Sequence, residues 1–78
     1  MYKIYTFSST HSALFAEKII NDGNISAKII PTPRKISASC GFALRISADD
    51  FKKTSELILK NKINFDNTYD MDEKGQII

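Results

Sequence analysis

Apolar residues in this chain recur at every second position, then at helical spacing, then at every second position again, and the chain runs through that alternation twice. Tyr2 to Phe7 is rich in aromatic and β-branched residues and reads as a strand. Ser8-Ser9-Thr10 supplies side-chain oxygens for an N-cap and Gly23 a C′ stop. Between them Ala13, Phe15, Ala16, Ile19 and Ile20 share one helical face, with Leu14 off it. Ile25, Ala27 and Ile29 alternate with Ser26 and Lys28 in a second strand, which Pro31 ends. Phe42, Leu44 and Ile46 alternate with Ala43 and Arg45 in a third. Ser47 and Asp50 form a capping-box pattern before a helix that presents Phe51, Ser55, Ile58 and Leu59 on one side and ends near Asn61. Phe65, Tyr69 and Met71 share the parity of a fourth, more polar strand, and Asp72 to Ile78 reads as a turn followed by a loose or pairing end.

The predicted order is β-α-β-β-α-β, which matches the ferredoxin-like split βαβ arrangement: an α+β sandwich, one antiparallel sheet with two helices on one face. Residues 1–71 make a single domain and 72–78 a C-terminal tail. Seventy-eight residues leave no room for a second core, and a chain this short gains from pairing, so a homodimer is an expected way to bury more surface. A net charge of +2 argues for neither nucleic acid nor an acidic membrane, and no apolar run approaches spanning length. One cysteine cannot form an internal disulfide, and no Cys/His set has zinc-site spacing. No phosphate-binding glycine loop or Ser/His/Asp arrangement appears, so neither metal nor cofactor is expected. A reducing, cytoplasmic compartment suits the lone thiol.

That thiol, Cys40, closes the segment Pro31-Thr32-Pro33-Arg34-Lys35-Ile36-Ser37-Ala38-Ser39-Cys40-Gly41. Pro31 and Pro33 shape the loop by fixing φ and removing two donors, and Gly41 frees the backbone after the cysteine. Arg34 and Lys35 bring positive charge to the same loop, and cations lower a thiol pKa toward the nucleophilic thiolate. In a split βαβ arrangement this loop shares one end of the sheet with the start of the first helix, whose free N–H groups favour an anion. Ser9, Thr10 and His11 are therefore expected to face Arg34, Lys35, Ser39 and Cys40 across an anion pocket.

Plainer readings stand beside this one. A free cysteine is commonly a small buried hydrophobe, and the strand parity that aims Cys40 at the first helix also aims it at the core. His11 in a first helical turn is more often a surface residue than a base, and Arg34 and Lys35 read equally as solvated loop charges. The element order is also that of an RNA-recognition motif, with Gly41-Phe42-Ala43-Leu44 as a partial third-strand signature and Tyr5 as a second stacking ring. Against it, Cys40 stands where a basic residue is expected and Leu44 where an aromatic is, so nucleic acid is not the expected partner. A non-catalytic regulatory or protein-interaction module needs no reactive thiol at all.

Phe7-Ser8-Ser9-Thr10-His11, the apolar helix ending near Gly23, and the run from Pro31 to Gly41 followed by Ala43-Leu44-Arg45 resemble a family of short bacterial selenium/sulfur carrier-like domains. The resemblance spans the chain from its first strand to about Tyr69, and the Pro-Thr-Pro-Arg to Ser-Cys-Gly segment is its most specific part. It implies a carrier or accessory protein rather than a stand-alone enzyme. Cys40 would hold sulfur or selenium as a persulfide or selenopersulfide, taken from a donor protein and passed to an acceptor. Ser9, Thr10, His11, Pro33, Arg34, Ser39 and Gly41 are the motif residues that accompany it. Better-understood sulfur carriers place their cysteine in a Cys-Pro motif at a helix start, whereas Cys40 is followed by Gly41 and precedes a strand.

Overall fold

A computed structural model describes residues 1–36 and 41–78. The elements follow the order expected: β1 (Tyr2–Thr6), α1 (Thr10–Asp22), β2 (Lys28–Pro31), β3 (Phe42–Ser47), α2 (Phe51–Lys60) and β4 (Asn67–Met71). A 3₁₀ turn, Ala48–Asp50, joins β3 to α2, and the Ser47 Oγ accepts from the Asp49 N–H there, one residue short of the reach of a capping box.

The four strands form one sheet in the order β2-β3-β1-β4, with every neighbouring pair antiparallel. β1 is central, with Tyr5 opposite Leu44 on one side and Thr68 on the other. Pro31 closes β2 on the sheet edge, where a missing N–H costs no ladder bond.

Strand alternation gives the sheet two different faces. On the inner face Tyr5, Leu44 and Ile46 pack with Ala13, Ala16 and Ile20 of α1 and Ile58 of α2. Each helix turns an i, i+3, i+7 stripe inward: Ala13, Ala16, Ile20 in α1 and Phe51, Thr54, Ile58 in α2. Two expectations about those faces need correction. Phe15 is 46% exposed, because the stripe centres on small Ala13 and Ala16, which bring the helix close to the sheet and leave Phe15 outside it. Leu59 is 80% exposed, about 100° around α2 from Ile58.

Both helices end in the same way. The Ile25 N–H returns to the Ile20 carbonyl at 3.3 Å and the Ile63 N–H to the Ile58 carbonyl at 3.0 Å, with Asn24 (φ 67°) and Lys62 (φ 52°) in the left-handed position and a buried isoleucine after each. Asn24, not Gly23, makes the left-handed turn. Gly23 instead lies against Leu57, whose Cδ1 a Cβ there would meet at 2.7 Å, so a larger residue would have to turn that methyl aside.

On the outer face Ile4, Ala43 and Met71 are covered by Ile36, with Ile77 packed beside them. The final residues pair rather than trail. Asp72 Oδ1 accepts from the Lys74 and Gln76 N–H groups, Gly75 takes φ 85°, and Ile77 bridges to Met71. Phe65, expected on the fourth strand, precedes it and meets the inner-face Tyr5 ring edge-on at 5.3 Å, while Tyr69 and Met71 lie with the outer face.

Candidate functional site

The loop between β2 and β3 is closed at its base by the Thr32 N–H donating to the Gly41 carbonyl at 2.9 Å, just beyond the Pro31–Phe42 pair. Pro33 then opens a tight turn, its carbonyl accepting from the Ile36 N–H at 3.0 Å. Arg34 and Lys35 are the two central residues of that turn, both exposed, which suits the short-range preference for proline near a turn start. Ile36 is the anchor. It is 6% exposed and packs on Ile4, Ala43 and Met71, so the turn is pinned across the outer face of the sheet. Pro33, Arg34 and Lys35 border a hollow of about 230 Å³ with Gly75, Gln76 and Ile77. Gly41 is exposed, and a Cβ there would meet nothing within 4 Å among the described residues. Cys40 and Ser39 lie outside the described residues.

The helix side of the expected pocket is built differently. Ser9 is the N-cap of α1, accepting from the Ser12 N–H at 3.2 Å and donating to the Ser12 Oγ at 3.1 Å, so its hydroxyl is engaged in holding the helix start. Ser8 donates to Asp66 Oδ1 at 2.7 Å and ties that start to the segment before β4. Thr10 is the first helical residue and is exposed. His11 is also exposed and borders a second hollow, of about 210 Å³, with Ser12, Phe15, Lys62, Ile63 and Asn64. Thus the loop cations border the C-terminal turn and His11 borders the end of α2. The expected pocket is therefore not formed by these residues: the loop cations reach over the outer face toward the turn that follows Met71, opposite Tyr2 at the start of β1, while His11 lies at the start of α1, and the two sets line separate hollows.

Two contributors were not visible as site residues in the sequence. Ile36 was the one apolar residue within a proline, basic and serine segment, and that isolation was the available signal. Ile77 had none, because its role depends on the tail turning back. The structure also bears on RNA stacking. The Tyr5 ring is 1% exposed and packed under the helices, so it cannot stack on a base, while Arg45 lies on the opposite face with its guanidinium 4.5 Å over the Tyr2 ring. Among the described residues no His, Cys, Asp and Glu side chains group to hold a metal ion, and no helix is long and apolar enough to cross a membrane.

The family model described as "Putative Se/S carrier protein-like" matches residues 2–70, from the start of β1 to Asp70, one residue before the end of β4. The chain belongs to this selenium/sulfur carrier-like family. No curated protein and no solved structure matches it. The matched span includes the segment from Pro31 to Gly41.

Proposed function

We propose that this protein carries sulfur or selenium on Cys40 and hands it between partner proteins. The observation that supports this reading is membership of the carrier-like family across residues 2–70, a span that includes the only thiol in the chain. The α+β sheet is read with it as a ferredoxin-like scaffold, on the β2-β3-β1-β4 order.

The chemistry needs no oxidant. The Cys40 thiolate attacks the outer sulfur of a donor persulfide and forms a new S–S bond. The donor's own S–S bond breaks, and its electron pair leaves on the donor thiolate. An acceptor nucleophile then attacks the outer sulfur now on Cys40, and the Cys40 thiolate departs. Selenium in the outer position follows the same route. Arg34 and Lys35, fixed at the centre of the turn by Pro33 and Ile36, supply positive charge to the loop, and Thr10, His11 and Ser39 are further polar residues of the family motif. A small domain suits this role because the donor and acceptor complete the site. Phe15, which shares a hollow with Lys62, and Leu59 and Phe65, which share another, remain exposed and offer apolar surface to a donor protein. A reducing, cytoplasmic setting keeps the thiol available between transfers.

Those same exposed apolar residues favour the second reading, an interaction module in which the thiol is incidental. Incubation of the reduced protein with a small-molecule persulfide, followed by intact-protein mass spectrometry, separates the two. The carrier gains one sulfur atom and loses it to an added thiol acceptor, while Cys40→Ser folds normally and gains none. Equal loading of Cys40→Ser, or no loading of the native protein, overturns the carrier reading.

A further inference from the structure

At the end of the sheet away from the thiol loop, β2 begins later than its sequence pattern suggests. The Ala27 N–H does not enter the ladder but donates to Asn21 Oδ1 at 2.8 Å. A hollow of about 420 Å³ lies between the Ser26–Ala27 segment and Ile46–Ser47, within the size range of small-molecule sites. Lys28, Arg45 and Tyr2 also line it.

Its charges are unbalanced. Lys28 and Arg45 are directly opposite in the β2–β3 register, on the face that also carries Ile30 and Ala43. Like charges so placed oppose pairing. Neither has a carboxylate within ion-pair distance, since the two ion pairs among the described residues are Met1 with Glu73 and Lys3 with Asp70. Asp22 is next to Asn21 in sequence and Asp49 two residues from Ser47, yet neither lines the hollow. The Arg45 guanidinium carbon lies 4.5 Å from the centroid of the Tyr2 ring, a cation–π contact that restrains the group and leaves its N–H donors for another partner. Asn21 spends its carbonyl oxygen on Ala27 and keeps its amide NH₂ group. The hollow thus offers a restrained guanidinium, an ammonium, an amide donor and the Ser26 hydroxyl, with no acid among its walls.

We propose that this hollow is a binding site for a small molecule bearing a phosphoryl group or an equivalent tetrahedral oxyanion, with Arg45 as the restrained ligand and Lys28 as the second charge. An anion between them removes the like-charge opposition across β2 and β3. The site lies apart from the thiol loop and does not depend on the carrier reading.

The test is a ¹H–¹⁵N NMR titration with inorganic phosphate and, separately, glycerol phosphate, at constant ionic strength balanced with chloride. Shifts concentrated at Tyr2, Ser26–Lys28 and Arg45–Ser47 are expected, with tighter binding of whichever source the site serves. Arg45→Gln is expected to weaken binding at least tenfold and Lys28→Gln several-fold, while Arg34→Gln leaves it unchanged. The spectrum of each variant reports whether it folds, and Lys28→Gln, on an exposed edge, keeps the test decisive if Arg45→Gln does not fold. Shifts reproduced by chloride alone, shared equally by the other lysines, or matched by succinate overturn the proposal, as does Lys28→Gln with native affinity.

Discussion

The inner face of the sheet is sealed by two helices that bring several side chains each over Tyr5, Leu44 and Ile46, whereas the outer face is sealed by two irregular segments that contribute one principal anchor each, Ile36 and Ile77. Many overlapping contacts make the inner cover redundant. The outer cover is not redundant, and lifting Ile36 from Ile4, Ala43 and Met71 costs the burial of a single side chain, about 2 kcal/mol. The segment that leads to Cys40 is therefore held over a formed sheet by an attachment much weaker than the fold itself. A carrier that must present its thiol to two partners benefits from that division.

The contrast can be broken at either face. Leu44→Ala removes a fully buried inner side chain and is expected to cost about 3 kcal/mol, a large part of the stability of so short a domain. Ile36→Ala is expected to cost about 2 kcal/mol or less, since the turn can settle toward the gap, and to raise hydrogen exchange at residues 32–36 while β1 and α1 keep their protection. Urea denaturation with residue-resolved exchange measures both. Equal global losses from the two variants would erase the distinction between the faces.

A smaller change sharpens the account of the inner face. The Tyr5 hydroxyl is buried without a hydrogen-bond partner; Ser55 stands alongside but outside hydrogen-bond geometry. Burial holds its pKa above 10, an effect that Ser55 opposes in part. Between pH 10 and that raised value the unfolded chain has lost the proton and the folded chain keeps it, so stability falls as pH rises through this window and is unaffected below it. Tyr5→Phe is expected to gain about 1 kcal/mol at neutral pH by deleting an unsatisfied group. It should also flatten the decline above pH 10, as thermal melts at a series of alkaline pH values would show. A variant less stable than the native protein would mean that the hydroxyl has a partner.

The same contrast explains what was legible in the sequence. Period-two and helical patterns located all six elements, and the side to which Leu44 and Ile46 point followed from parity. Phe15 and Leu59 were placed on the wrong sides because hydrophobicity alone does not reveal that small residues such as Ala13 and Ala16 form the contact stripe. The outer cover left no periodic trace, since among the described residues of the loop Ile36 is its one buried anchor, and a single anchor has no period. The turn of Pro33 to Ile36 consequently carries Arg34 and Lys35 toward Gln76 and Ile77, a placement that needs the closed tail to be known first. Lys28 and Arg45 are likewise ordinary strand cations until the register sets them opposite each other.

The central claim, that the loop carries an activated thiol, is met most directly by the alkylation rate of Cys40 measured against pH in the reduced, folded protein. The account predicts a midpoint below the model thiol value of about 8.5, moved upward when Arg34 and Lys35 are both replaced by alanine. A midpoint at the model value that ignores those replacements, or a thiol that reacts only after unfolding, would contradict it.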